Sequence, residues 1–381
     1  MQVFRLHNRL SLTQRAIINS VQAFCKTELR PRVYNDFRKE STDREIFQKF
    51  GEVGLFGPTI RGYNCLAESY TTYGLIAKEI EAVDSGYRSM YSVQSSLVMR
   101  PIDLFGSSAL KSQYLYKLAS GEWIGCFGLT EPDAGSDPNA MQTRAVQIGD
   151  SYVLNGSKTW ISNAPIADVF VVWAKDEKEV VRGFVMDRDT KGLSTSAIDG
   201  KMSLRTSVTG SIFLDDVRVP DTHVLDVKGL KGPFQCLNAA RLGIAFGVLG
   251  AAENCMETTI QYALQRSVFG DMLASKQLFQ HKMADMVSEY NLALLGCLHV
   301  AKHMDEGTMT PEMISLVKRN SCHKALVIAR TCREIFGANG ISEHYDVFRH
   351  MCNLETVSTY EGTHDIHSLI LGAHVTNHRA F

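Results

Sequence analysis

Three groups of residues in this chain of 381 residues have types and spacings suited to chemistry. The first is Thr359-Tyr360-Glu361-Gly362-Thr363-His364-Asp365. Its central carboxylate can take a proton as a general base, and Gly362 leaves one side clear for a ligand to approach. The second is Val83-Asp84-Ser85-Gly86-Tyr87-Arg88-Ser89, followed by Ser92-Val93-Gln94-Ser95-Ser96. Arg88 and Ser92 are four residues apart and share one face of a helix. A guanidinium there can hold a carboxylate in a charge-assisted bond, and the hydroxyl can donate another. Turned inward, such an arginine needs a partner. The third group is Gly128-Leu129-Thr130-Glu131-Pro132-Asp133-Ala134-Gly135-Ser136-Asp137. It offers N–H groups and hydroxyls to a heteroatom-rich ligand, with Gly135 permitting close approach. The same composition also suits a plain surface turn.

Other chemistries find little support. No G-x-G-x-x-G follows a strand pattern, no P-loop occurs, and Gly337-Ala338-Asn339-Gly340 is too short to replace them. His364, Asp365 and His367 lie close together but lack the spacing of a zinc or iron set, so no metal is expected. Forty basic residues face 41 acidic ones without a block of like charge, which predicts neither a nucleic-acid nor a membrane-surface partner. No apolar run approaches the roughly 18 residues a membrane span requires. Nine cysteines, an odd number without a C-x-x-C pair, read as small buried hydrophobes. The first ten residues carry Arg5 and Arg9 but no signal-peptide core, and are short for a transit peptide.

The elements that must position these groups follow from periodicity. Ser11 with Gln14 is a capping-box start to a helix bearing Ile17, Val21, Phe24 and Leu29, closed by Pro31. Helices are predicted over 43–53 and 69–82, with a turn at Asp84-Ser85-Gly86 and a further helix carrying Val93, Leu97 and Val98. Strands are predicted over 123–127, 169–174, 182–186 and 212–214. Asn155-Gly156 between β-formers predicts a hairpin. Helical period returns from Phe234, with small residues at Gly243, Gly247, Gly250, Ala251 and Ala252 that suit tight packing. Further helices are expected over 277–303, 311–336 and 364–374, with Gly337 as a C-cap.

Position by position, the 128–137 stretch resembles the signature of the acyl-CoA dehydrogenase family, and the likeness extends along nearly the whole chain. It implies an α+β fold: an N-terminal helical domain (1–121), a small central β-barrel or sandwich (122–228) and a C-terminal four-helix bundle (229–381). It implies FAD as cofactor. Phe127, Gly128, Leu129, Thr130, Gly135, Ser136, Trp160, Ile161 and Ser162 resemble the flavin-side contacts. Arg266 and Phe269, within Arg266-Ser267-Val268-Phe269-Gly270, together with Gln277, resemble the segment meeting the diphosphate and adenine across a subunit boundary. Glu334, Ile335, Phe336, Gly337 and Ala338 resemble another part of that shared site, as do Thr363, His364 and Asp365. Ala338 stands where many relatives have a second glycine, so its methyl crowds a phosphate.

Segments 83–96, 234–241 and 359–365 resemble one subgroup, the glutaryl-CoA dehydrogenases. That resemblance makes Glu361 the base that removes the thioester α-proton. The thioester carbonyl would lie on the Glu361 N–H and a ribityl hydroxyl. Arg88, oriented by Glu81 and accompanied by Ser89 and Ser92, would hold a distal carboxylate. Phe234, Leu237, Asn238 and Arg241 would line the CoA channel, while Ser136, Ser162, Tyr360 and Gly362 border the acyl cavity. The implied reaction converts glutaryl-CoA to crotonyl-CoA and carbon dioxide, in a homotetramer of the mitochondrial matrix that passes electrons to electron-transferring flavoprotein. Met90-Tyr91 departs from the subgroup, and Tyr91 either faces the core or reshapes the acyl pocket. Two other readings stand beside this one: a dehydrogenase for uncharged short or branched acyl-CoA, and a non-catalytic CoA-binding scaffold.

Overall fold

The computed structural model describes residues 3–4 and 10–380, so Arg5 and Arg9 lie outside the described residues. Seven helices come first: α1 (Leu12–Phe24), α2 (Val33–Lys39), α3 (Glu45–Glu52), α4 (Tyr70–Glu81), α5 (Ser85–Ser92), α6 (Arg100–Phe105) and α7 (Ser108–Ala119). The expected capping box opens α1: the Gln14 N–H donates to Ser11 Oγ at 3.1 Å, and the Ser11 N–H to Gln14 Oε1 at 3.0 Å. Asp84 accepts from the Gly86 N–H at 2.8 Å, so the expected turn there is the N-cap of α5. The segment after α5 is not the ordinary helix its apolar spacing predicted but a π-helix, Val93–Met99, buried throughout. π segments recur at functional sites, and this one backs the helix that carries Arg88.

The central strands are β1 (Gly125–Gly128), β2 (Arg144–Ile148), β3 (Ser151–Ser162), β4 (Val169–Lys175), β5 (Val181–Asp187), β6 (Leu193–Ala197) and β7 (Thr209–Pro220). They form one mixed sheet ordered β1-β4-β2-β3-β7-β6, with β5 paired to β4. The predicted hairpin at Asn155-Gly156 is not there. β3 runs straight through it, and the β2–β3 reversal lies at Gly149-Asp150. Gly156 instead marks an irregular register against β7, where a Cβ would sit 2.6 Å from Thr143 Oγ1. Asn155 is spent on Asp216, across 3.0 and 2.9 Å bonds. Glycine was needed for close backbone approach, not for a turn.

The C-terminal part holds α8 (Lys231–Gln265), a two-strand ribbon β8 (Ser267–Val268) and β9 (Asp271–Met272), then α9 (Gln277–Asp305), α10 (Pro311–Ile335), α11 (Val347–Thr359) and α12 (His364–Thr376). Helix α11 was not legible, because Arg349, His350 and Asn353 interrupt its buried face. By length and composition α8 could cross a bilayer, but 83% of the relevant window is buried inside the protein. The nine cysteines are free thiols and seven are buried.

The small residues of α8 do more than permit packing. A Cβ on Gly243 would lie 2.5 Å from the Tyr73 hydroxyl, one on Gly250 1.9 Å from the Lys78 carbonyl, and one on Gly247 2.1 Å from Glu81 Oε2. The stripe lets α4 press Glu81 into the interior beside α5. Gly247→Ala is therefore expected to cost about 1–3 kcal/mol by overpacking. A thermal melt within a degree of wild type would contradict it.

Candidate active site

The chain leaves α11 at Thr359 and reverses through Tyr360, Glu361 and Gly362 before Thr363 caps α12, its Oγ1 accepting from the Ile366 N–H at 3.1 Å. Glu361 sits at φ +52° and Gly362 at +100°. A non-glycine residue in that region is strained, and such strain clusters at functional sites. Glu361 Oε2 is buried with no hydrogen-bond partner among the described residues. Burial pushes the carboxyl above its usual range, while Arg88, Arg241 and Lys318 pull it back. A base held this way has a higher proton affinity than a surface carboxylate.

Arg88, fully buried, comes from α5. Its Nε donates to Glu81 Oε2 at 2.5 Å, and its Nη2 donates to the Tyr360 hydroxyl. Nη1 has no partner among the described residues. Burial works against this charge, and Glu81 and Tyr360 outweigh it, so the guanidinium stays ionised. The predicted orientation of Arg88 by Glu81 thus has a direct geometric counterpart. Ser89 and Ser92 are buried on the same helix. The Ser92 hydroxyl lies 3.3 Å from that of Tyr73, so its use by a ligand competes with that bond. Tyr91 faces the core, stacked on Tyr73 at 5.5 Å with its hydroxyl donating to the Tyr73 carbonyl.

From α8, Arg241 Nε donates to the Glu361 carbonyl at 2.7 Å and Nη1 to Asn238 Oδ1 at 3.4 Å. Leu237 is buried, and Phe234 near the helix start is partly exposed. Lys318 from α10 reaches the same loop through the carbonyls of Tyr360 and Gly362. Nothing in the motifs pointed to Lys318. Its signal was a lone lysine on the apolar face that includes Ile314, Val317 and Cys322.

The β domain carries the polar 128–137 loop. The Thr159 N–H donates to the Thr130 carbonyl at 2.9 Å, joining the 128–137 loop to the strand end at Trp160, Ile161 and Ser162. Trp160 is at φ +59° and 61% exposed, whereas Phe127, Leu129 and Ile161 are buried. At Gly135 an added Cβ would meet nothing within 4 Å. An open indole next to the Ser162 hydroxyl, on a strand bonded to Thr130, fits a flat heteroaromatic group with polar edges.

Glu131 anchors this loop. Its carboxylate takes the Lys158 ammonium at 2.7 Å and the Thr143 N–H at 3.0 Å. Lys158 also donates to the Leu129 carbonyl at 3.1 Å. Burial lowers the Lys158 ammonium to about 8 against the pull of Glu131. Lys158→Met is expected to strand a buried carboxylate, at about 3–5 kcal/mol, and to release the loop. The check is flavin content after gel filtration, and full retention would contradict it.

Arg266, Phe269, Gln277 and residues 334–338 sit on other elements, whereas His364 and Asp365 directly follow the Glu361 loop. Arg266 lies 25 residues beyond Arg241, across roughly 37 Å of α8 and its end. Phe269 is fully exposed at φ +49°. Gln277 starts α9, and Glu334 pairs with Lys282 at 3.2 Å. Ile335 ends α10, and Phe336 is buried, stacked on Tyr262 at 4.3 Å. Gly337 is at φ +60° in the turn that includes Ala338. His364 and Asp365 open α12, and among the described residues no group of three or more side chains could hold a metal.

The buried, strained Glu361 carboxyl is suited to a base, and the open Trp160 indole offers a face to a flat cofactor. The chain belongs to the acyl-CoA dehydrogenase family. The models for its N-terminal, middle and C-terminal domains match residues 11–122, 126–217 and 228–376. A probable acyl-CoA dehydrogenase of Bacillus subtilis is 32% identical over 95% of this chain and 97% of its own. The mitochondrial isovaleryl-CoA dehydrogenase of Pongo abelii is 32% identical over 96% and 89%. Among solved structures, a glutaryl-CoA dehydrogenase of Mycobacterium smegmatis in complex with FADH2 superposes with a TM-score of 0.97 at 43% identity, covering 100% of this chain and 98% of the other. A second structure of glutaryl-CoA dehydrogenase from that organism gives 0.95 at 46%, covering 98% and 96%. The fold is that of the family, and FAD is its cofactor.

Proposed function

We propose that the chain oxidises and decarboxylates glutaryl-CoA to crotonyl-CoA and carbon dioxide. The observation that carries this is the fully buried Arg88, charged, with Nη1 unpaired beside the Glu361 carboxyl. An apolar acyl tail has no use for such a group, whereas a distal carboxylate completes its bonding. The similarity to the two glutaryl-CoA dehydrogenase structures supports the same substrate.

Glu361 removes the α-proton, and Arg88 holds the far end of the acyl chain so that the reacting carbons stay in register. Phe127 to Thr130, Ser136 and Trp160 to Ser162 would hold FAD, which when bound accepts the hydride from the β-carbon. With the α,β double bond formed, the distal carboxylate leaves as neutral CO2. Glu81 shares the Arg88 charge, which keeps the guanidinium from holding that carboxylate too firmly. The protonated Glu361 can return its proton to the γ-carbon, giving crotonyl-CoA.

The reading extends to a homotetramer in which Arg266, Phe269 and Gln277 complete a neighbour's cofactor site, and to electron-transferring flavoprotein as acceptor. Full exposure of Phe269 in a strained turn supports the shared site. The deciding assay compares flavin bleaching and CO2 release with glutaryl-, butyryl- and isovaleryl-CoA. Release of CO2 from glutaryl-CoA with faster turnover than the other two is expected. Faster isovaleryl- or butyryl-CoA turnover without CO2 would move the chain to the uncharged short- or branched-chain class. A purified protein that cannot bind FAD would instead be a scaffold.

A further inference from the structure

We infer that Lys318 is a positioning residue for the Glu361 base, its buried ammonium fastening the loop that carries the carboxylate. The inference rests on Glu361 acting as the base. Where α11 ends, its last carbonyls and those of the following turn have no helical partner. Three of them converge on Lys318 Nζ: Ser358 at 3.4 Å, Tyr360 at 2.9 Å and Gly362 at 2.8 Å. An ammonium has three N–H donors, and all three are used. Arg241 takes the carbonyl between them, that of Glu361. Two cations from two different helices therefore hold the backbone on both sides of the base.

That fastening has something to resist. Glu361 at φ +52° sits in a region that costs about 1–3 kcal/mol for a residue with a side chain. Released, the loop would relax toward ordinary backbone angles and swing the carboxylate away. Lys318 is itself 1% exposed on the inner face of α10, an expensive place for a charge. A neutral donor could cap some of these carbonyls, but only a cation also acts on the Glu361 carboxyl. The groups facing that carboxyl are Arg88 from α5, Arg241 from α8 and Lys318 from α10. Tyr360 adjoins it, Tyr73 and Cys322 lie within its field, and Glu81 from α4 is paired with Arg88. His367 from α12 is held neutral, lowered to about 3 by burial and by the same two cations, Lys318 and Arg241. Lys318 thus fixes where the base is and helps keep it ionised.

The test uses the flavin-loaded enzyme and rates per bound flavin. Lys318→Met is expected to slow flavin reduction by acyl-CoA about 100-fold, the usual cost of a misplacement near 1 Å. Apparent substrate affinity should change far less than the rate, since Lys318 itself makes no substrate contact. The acid limb of the pH profile should move to higher pH, because losing a nearby cation makes Glu361 easier to protonate. Lys318→Arg keeps the charge but not the compact three-donor geometry. It should slow reduction while leaving the acid limb in place, and it decides the matter if the Met variant does not fold. Either variant reducing its flavin within about twofold of wild type would overturn the inference. So would slow reduction in the Met variant with equally weakened substrate binding and an unmoved acid limb, which describes a cap and nothing more. Glu361→Gln separates the two ideas. If that variant still reduces its flavin, the base assignment fails; if it is inert while the Lys318 variants are normal, only the positioning role fails.

Discussion

Glu361→Gln is expected to fold, to keep its FAD, and to lose substrate-driven bleaching by about 10²- to 10⁴-fold, the range for removing a general base. The substitution is close to isosteric, and Oε2 has no hydrogen-bond partner among the described residues to lose. Stability should rise at neutral pH. A carboxyl whose folded-state pKa is raised by burial favours the folded state when protonated, and that contribution is lost as pH rises through the folded pKa. The neutral amide never incurs the loss, so the melting difference between variant and wild type should shrink toward acid pH. Activity of the wild type runs the other way, because the base works only when ionised: it should fall as pH drops through a midpoint above the ordinary glutamate range. Normal bleaching in the Gln variant would remove Glu361 from the mechanism.

The second large effect concerns Arg88. Removing it alone would strand the Glu81 carboxylate, fully buried at the far side of the pair, and confuse instability with lost specificity. The double variant Arg88→Met with Glu81→Gln removes both charges. Against glutaryl-CoA its kcat/KM should fall by about 30- to 5,000-fold, the equivalent of about 2–5 kcal/mol for a buried charge-assisted contact. Butyryl-CoA, which has no distal carboxylate, should lose less than about tenfold and can gain. Equal losses on both substrates would make Arg88 a structural residue and withdraw the dicarboxylate reading.

Much of the framework was legible because it depends on short-range physics. The capping box at Ser11 and the caps at Ser69 and Thr363 each bind neighbours within four residues, and the glycine after α10 supplies the positive φ its turn needs. The failures share the opposite cause. Asn155-Gly156 has turn chemistry, yet Asp216 and Thr143, distant in sequence, turn it into an irregularity inside β3. Helix α11 hides its period because Arg349 and Asn353 face inward to Asp84, a partner more than 260 residues away. Helix α8 shows its small residues in the sequence, but which helix they admit is set by Tyr73, Lys78 and Glu81 of α4, about 170 positions away.

The same division runs through the site. By itself the sequence determined the chemical groups: a carboxylate next to glycine at 361, a guanidinium at 88 and a polar loop at 128–137. Reactivity and charge depend on surroundings, and those only the tertiary structure decided. Glu81 reaches Arg88 because Gly247 on another helix leaves room for it. Tyr360 meets Arg88 across 272 positions of chain. Glu361 becomes a strained, desolvated base because Arg241 and Lys318, from two further helices, hold its backbone and face its carboxyl. A residue type fixes which proton can move. Burial and the neighbouring charges, set by the packing of four helices, fix when it does.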